Sequence, residues 1–491
     1  MEKDATIFKV EQHSDSSRLS SEAGSPGSVD GERLARMGYK PELKRNLGIG
    51  SLLGFGFSVS NSWWGASASL AAGILSGGPV VMVYGLVFLA LISVCIGVSL
   101  SELASAMPNS GGQYYWAGQI APKKHARLLA FLTGALNWAG AVFASSSVTL
   151  GLASSLVGLY VLGHPETVTL GLASSLVGLY VLGHPETTIS PWMVFVTYQV
   201  VNVFGLVFNC IHRTLPALAT ASLYISVISW LVTTIIVPSM SSTKQSAQFV
   251  FATFINQTGW NNDALAFIVG LISPSWYVTK QSAQFVFATF INQTGWNNDA
   301  LAFIVGLISP SWCFAALDVA THMAEEIHQP ERMIPRSILI TVLIGLVSSL
   351  TYTIAMIFSI ADFEAVTGSS TGVPILELYH QATGSLAGAI GLQVLFLLTG
   401  VGCLIGCHSW QARLAWSFSR DHGLPGSRWW SVVNNTTGVP LNAHLMSCNM
   451  NYASVVIVGY IVYLCGYWCI RGCRVFRVPE VDGEPVIRDN D

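Results

Sequence analysis

The sequence predicts an all-α polytopic membrane protein, and three observations carry that reading. Of 491 residues only 10% are charged and 52% are hydrophobic, with a mean hydropathy of +0.54, whereas an ordinary soluble domain carries roughly 25% charge. No Asp, Glu, Lys or Arg occurs from Asn46 to Ser101, which is room for two helices of about 20 residues each across a hydrocarbon core about 30 Å thick. These runs are too long and too uniformly apolar for the short alternating strands of a β-barrel. Composition also removes other classes. A net charge of −3 without a basic stripe supplies no phosphate neutralisation, so the surroundings are a lipid bilayer and not a nucleic acid. Nine cysteines with no CxxC pair make neither a disulfide scaffold nor a structural zinc site.

Taken in order, residues 1–45 read as a disordered tail, rich in Ser and Gly (SDSSRLSSEAGSPGS, 14–28). Arg36, Lys40, Lys44 and Arg45 place it in the cytoplasm. It has no signal-peptide core, so the first span is the targeting element. That span ends at Ser76-Gly77-Gly78-Pro79, which breaks helix. After span two, Pro108 and Gly111-Gly112 form a hinge, and Tyr114, Tyr115 and Trp116 are expected to anchor at the membrane interface. The basic loop Pro122–Arg127 is inside. Span three leaves to His164-Pro165-Glu166, span four (about Trp192–Cys210) returns, span five (about Ala217–Val237) exits, and span six (about Ala300–Met323) returns to Glu325–Arg336. Spans seven and eight form a pair ending inside at Arg413, Arg420 and Arg428. Eight spans satisfy every basic loop.

Two segments occur in identical copies, 148–167 with 168–187 and 243–276 with 279–312. Single perfect copies of unlike segments are a recent duplication or an assembly error, not a repeat architecture. An extra crossing by the second copy would turn His212, Arg213, Arg332 and Arg336 outward, so that copy is expected to bend back on the outer side. Residues 46–448 thus form the membrane-spanning core and 449–470 the last helix, with a polar tail at 471–491. A ninth crossing over Ala453–Ile470 would put Arg471, Arg474 and Arg477 outside. An odd number of spans is therefore missing between Cys448 and Asn449.

Polar groups inside the apolar runs mark the candidate site. Ser58-Val59-Ser60-Asn61-Ser62 competes with the backbone for hydrogen bonds and fits a helix break, or equally close packing of small residues. Asp318 in span six is an acid at membrane depth. It either orients an unwound segment and receives a proton, or caps the inner half-helix. Glu325 and Glu326 are expected to pair with Arg332 and Arg336 and hold an inner gate. The string HMAEE lacks a second His at helical spacing and is not read as a zinc site. No GxxxxGK[ST] and no nucleophile with a base is present, so neither ATP, a cofactor nor an enzyme activity is implied.

GIGSLLGFGFSVSNSWWGASASLAAGILSGGPVVMVYG (48–85), SELASAMPNSGGQYYWAGQIAPKK (101–124), CFAALDVATHMAEEIHQPERMIPRSI (313–338) and SFSRDHGLPGSRWW (417–430) resemble the fungal amino acid and choline permeases of the amino acid, polyamine and organocation superfamily. The first two segments resemble the choline transporter branch in particular. The resemblance implies a LeuT-like 5+5 inverted repeat with broken first and sixth helices, here without spans nine to eleven of the usual twelve. It implies secondary transport of choline, an amino acid or GABA at the plasma membrane, coupled to an ion taken as a proton. For choline the cage candidates are Trp63, Trp64, Trp312 and Phe314, with Trp138 on span three. Backbone near Ser60, Asn61 and Ser62, facing Ala315 in the sixth span, would hold a carboxylate. Asp318, Glu325 and Glu326 are the coupling and gating candidates. The alternatives are a nutrient-sensing receptor without flux, or a truncated chain that does not transport.

Parity predicts a glycan at Asn256 or Asn292, outside, and none at Asn435, inside. A glycosidase-sensitive mobility shift should therefore persist in Asn435→Gln; its disappearance there would invert the topology.

Overall fold

The computed structural model describes residues 29–70, 73, 78–163, 191–211, 214–241, 308–369, 371–434, 440–449, 466–468, 470 and 473–476. The described residues form helices and their connections, with one isolated bridge between Leu47 and Ile327. Six helices are long and apolar enough to cross a membrane: α4 (Gly78–Ala106), α6 (Ala126–Gly163), α7 (Pro191–Cys210), α8 (Leu215–Met240), α11 (Pro330–Phe358) and α14 (Leu386–Arg420). A short helix α1 (Val29–Arg36) precedes them, and α5 (Gln113–Ile120) lies between α4 and α6. Two further helices, α12 (Phe363–Thr367) and α13 (Pro374–Thr383), connect α11 to α14. Beyond α14 come α15 (Ser427–Trp430), α16 (Leu441–Asn449) and α17 (Cys473–Val475).

The first and sixth spans are each in two pieces, as expected. α2 (Ile49–Ser60) and α3 (Ser62–Ala68) are separated by Asn61, at φ 29° and ψ 65°. α9 (Ile308–Trp312) and α10 (Val319–His322) are separated by a turn over 313–318, with Ala316 at φ 59°. Positive φ is unfavourable for residues with a Cβ. Such a residue costs about 1–3 kcal/mol and persists only where its surroundings hold it. Six continuous helices and two interrupted pairs account for the eight spans read from the sequence.

Tyr39, Tyr114, Glu325, Ile327, Arg420 and Asp421 meet at one end of the bundle, the end that the basic-loop reading assigns to the inside and that is called inner below. At the other, Gly158 of α6 packs on Thr371 and Val373 ahead of α13. Residues 164–190 and 242–307, which hold most of the two copied segments, lie outside the described residues.

Close backbone approach organises the core. A Cβ on Gly54 of α2 would collide with the Ala219 carbonyl of α8, and one on Gly345 of α11 with the Ser62 hydroxyl. Without side chains at these positions α2 and α11 come near enough for dispersion and interhelical hydrogen bonding, which drive helix association in lipid.

Two expectations are corrected. The tail read as disordered over 1–45 is packed from α1 onward, with Leu34, Met37, Tyr39 and Leu43 buried, because apolar residues recur there at intervals that face the core. Tyr114, Tyr115 and Trp116 are not interface anchors. They are buried within the protein, the Tyr114 hydroxyl bonding Ser417 and Asp421 and the Trp116 indole N–H the Met107 carbonyl. At the chain end the Cys473 and Phe476 carbonyls accept bonds from Arg127 at the start of α6, and Phe476 is buried against Phe131 and Phe418; Arg471 and Arg477, on which the parity argument turned, lie outside the described residues.

Gly54→Leu should destabilise the purified protein by about 1–3 kcal/mol, through separation of α2 from α8. Gly140→Ala, on an open face of α6 with nothing within 4 Å of the new Cβ, should be neutral or slightly stabilising. Thermal unfolding in detergent compares the two; equal losses would show that the close approach is not what holds α2.

Candidate functional site

The two breaks are bonded to each other. Ser62, the first residue of α3, donates its hydroxyl to the Cys313 carbonyl at the start of the turn in span six. Asn61 turns its carbonyl oxygen Oδ1 to the Ser226 hydroxyl of α8 at 3.1 Å, and Ser226 in turn accepts the Trp63 indole N–H at 3.0 Å. The amide nitrogen of Asn61 has no hydrogen-bond partner although the residue is 1% exposed. Ser60 bonds back to the Gly56 carbonyl at 3.0 Å. The short polar side chains that interrupt the helix thus also satisfy groups that the interruption leaves open.

Outward of the breaks lies a cavity of about 350 Å³. Trp64, Trp312 and Phe396 give it aromatic walls, and Ser67, Ser147 and Ser155 give it hydroxyls. Among the described residues no charged side chain lines it. Trp64 stacks on Phe396 with centroids 5.0 Å apart and rings 17° from parallel, and its indole N–H reaches the Phe396 carbonyl at 3.2 Å. Trp63 lies behind this wall, fully buried, 5.2 Å from Tyr352 and 6.4 Å from Phe396. The Tyr352 hydroxyl contacts those of Ser67, at 2.9 Å, and Tyr379 on α13, at 2.8 Å. Of the aromatic residues singled out from the sequence, Trp64 and Trp312 therefore line the cavity. Trp63 supports it, and Trp138, Phe314 and Ala315 are not among its lining residues. Phe396, Tyr352 and Tyr379 were not legible as site residues, since an aromatic in an apolar span carries no mark of which way it faces.

Inward of the breaks Asp318 sits in a polar knot. Its Oδ2 accepts the Asn137 amide at 3.2 Å and lies 3.1 Å from His322 Nε2, while His322 Nδ1 lies 2.8 Å from the Ser110 carbonyl. Asn137 also donates to Gln113. The capping alternative for Asp318 is overturned, because its side chain makes no cap bond to α10. It binds side chains of α6 and α10 instead.

Beyond this knot two buried ion pairs close the inner end. Glu326 takes a bidentate grip from Arg413 Nε and Nη2, with side chains 2% and 1% exposed. Glu325 takes one from Arg420, at 2.9 and 3.0 Å. The expected partners Arg332 and Arg336 are not the ones used. The turn after α10 faces α14, and planar guanidinium forks from two positions of that helix meet both carboxylates. The Arg420 guanidinium is also held between the rings of Tyr39, 4.0 Å away, and Trp416, 4.5 Å away, a cation–π arrangement.

Removing one partner of a buried pair leaves an uncompensated charge, which costs about 3–5 kcal/mol. Arg413→Met should accordingly lower the melting temperature sharply, and adding Glu326→Leu should recover most of the loss. A double variant no more stable than the single one would show that the pair is not what Arg413 contributes.

The amino acid permease family profile matches residues 47–468. The chain is 44% identical over 439 residues to a choline transporter of Saccharomyces cerevisiae, covering 88% of this chain and 67% of that one. It is 29% identical over 448 residues to a 7-keto 8-aminopelargonic acid transporter of the same yeast, covering 81% and 70%. An amino-acid permease of Arabidopsis thaliana is 24% identical over 435 residues, covering 86% and 73%. With six membrane-length helices and this match across most of its length, the chain is an integral membrane protein for transport of a small solute, and it belongs to the amino acid permease family.

Proposed function

We propose that this permease carries choline, or a closely related quaternary ammonium solute, by alternating access of a 5+5 inverted repeat. The observation that carries this reading is the cavity: aromatic walls from Trp64, Trp312 and Phe396, serine hydroxyls, and no charged lining side chain. A trimethylammonium group has no N–H to donate and is drawn to π faces, by about 2 kcal/mol when desolvated, while a serine hydroxyl can bond the alcohol. An amino acid zwitterion needs a partner for its carboxylate as well. The choline transporter among the relatives supports the same choice. The broken spans supply the mid-membrane polar backbone around which such repeats rock, and their half-helices lie against this cavity.

Asp318, held by Asn137 and His322 inward of the breaks, is the acid placed to take a coupling proton. The Glu325–Arg420 and Glu326–Arg413 pairs serve as the inner gate, and the Tyr352–Tyr379–Ser67 hydroxyl chain as the outer one. The plasma membrane is the expected location, where a nutrient cation is taken up.

Purified full-length protein should bind radiolabelled choline, tetramethylammonium should compete and glycine should not. Trp64→Ala or Phe396→Ala should weaken binding roughly 30-fold, the equivalent of about 2 kcal/mol. Unchanged affinity in both variants would remove the aromatic site. Binding without flux in reconstituted vesicles would favour the receptor reading, and displacement by amino acids would move the substrate away from choline.

A further inference from the structure

Residues 29–47 run across the inner end of the bundle with their apolar side chains turned in: Leu34, Met37, Tyr39, Leu43 and Leu47 are buried, while Arg36, Lys40 and Lys44 are exposed. This segment is attached to three separate parts of the inner end. The Tyr39 hydroxyl donates to Asp421 Oδ2 at 2.7 Å, just past α14, and its ring lies against Arg420. The Leu47 N–H donates to the Glu326 carbonyl at 3.0 Å and Arg45 to that of Ile327, both in the turn after α10. Asp30 accepts the Gln329 N–H at 3.2 Å and lies 3.5 Å from Arg45, and Arg33 pairs with Glu331 at the start of α11 at 3.2 Å.

The turn after α10 and the end of α14 are the parts that the Glu325–Arg420 and Glu326–Arg413 pairs bind together. Opening the inner end means parting them, and a segment bonded to both must release one. One of its attachments ends on a buried titratable group. Asp421 is a carboxylate 5% exposed whose Oδ2 accepts both Tyr39 and Tyr114, but the adjacent guanidinium of Arg420 grips Glu325 instead.

We propose that residues 29–47 are a strap clipping the inner ends of α10, α11 and α14 together, and that protonation of Asp421 tightens the clip. The groups facing Asp421 are Tyr39 on the strap, Tyr114 and Tyr115 on α5, Arg420 on α14 and Glu325 in the turn, with His422 following it in the chain. Burial pushes the Asp421 carboxyl up to about 6, and Arg420 and the two tyrosine hydroxyls draw it back only in part. With the strap lifted, water reaches the carboxyl and it returns toward the ordinary carboxylate range. The docked form therefore holds the proton more tightly, so acid favours docking, and this contribution is lost as pH rises through about 6. A near-neutral cytosol leaves the strap loosened, and acidification locks the inner end.

Hydrogen–deuterium exchange of the purified full-length chain in detergent tests this, with labelling times scaled for intrinsic chemistry. Between about pH 7.5 and about pH 5.5 exchange of residues 29–47 should slow about fourfold, as linkage to Asp421 requires, and residues 323–336 should slow with it. Asp421→Asn, neutral throughout, should be protected equally at both pH values. Tyr39→Phe, which keeps the ring and loses the hydroxyl, should exchange faster at both. An unchanged rate in the wild type, or a pH response that survives in Asp421→Asn, would overturn the role of Asp421. Loosening of 29–47 with 323–336 still protected would overturn the clip.

Discussion

The hydroxyl of Ser62, bonded to the carbonyl of Cys313, is the contact on which the remainder of the molecule depends. In lipid no water satisfies an exposed peptide group, so a helix broken at mid-membrane survives only where protein supplies the partners. Here the Ser62 side chain of one break supplies the partner for the Cys313 carbonyl of the other. Gly345 lets α11 press against this junction, and Ser226 of α8 extends it through Asn61 to the Trp63 indole. A chain of polar atoms thus crosses the bundle at one depth, with aromatic rings on the outer side and titratable groups on the inner side.

The separation of chemistry by depth follows from that layer. Outward, Trp64, Trp312 and Phe396 enclose a cavity whose polar atoms are neutral. Inward, three buried acidic side chains each have specific partners: Asp318 has Asn137 and His322, Glu325 has Arg420, and Glu326 has Arg413. Buried charges of this kind add little to stability compared with apolar packing, but removing one member is severe. They tie parts of the chain far apart in sequence, and they can exist in only two arrangements, joined or parted. That suits a closure that must be either shut or open.

Much of this was legible in the sequence, for reasons that differ by feature. The spans and their directions follow from where charges are tolerated in a bilayer, and eight crossings emerged from the basic loops alone. The break at Asn61 was half visible: Ser-x-Ser-Asn-Ser suits local side-chain bonding or close helix packing equally well, and the family resemblance favoured the break. Partner choice was not visible. Arg332 and Arg336 are near Glu325 and Glu326 in sequence, but the chain crosses the membrane twice before Arg413 and Arg420 arrive beside them. Tyr114 and Tyr115 look like interface anchors until Asp421, three hundred residues on, is placed next to Tyr114. The strap was hidden by averaging: the Ser-rich composition of residues 14–28 masked the inward-facing apolar residues from Leu34 to Leu47.

The stack of Trp64 on Phe396 bears on how quickly a bound solute could leave. One face of each ring is occupied by the other, in a contact worth about 0.5–1.5 kcal/mol beyond burial. A cation entering between them exchanges that contact for a cation–π attraction of about 2 kcal/mol, so the net gain from this pair is a fraction of the gross attraction. The rings close on each other when the guest departs, leaving no dry void behind. A sticky site holds its cargo and turns over slowly, whereas one whose walls prefer each other almost as much as the cargo can load from a dilute medium and still empty on the far side.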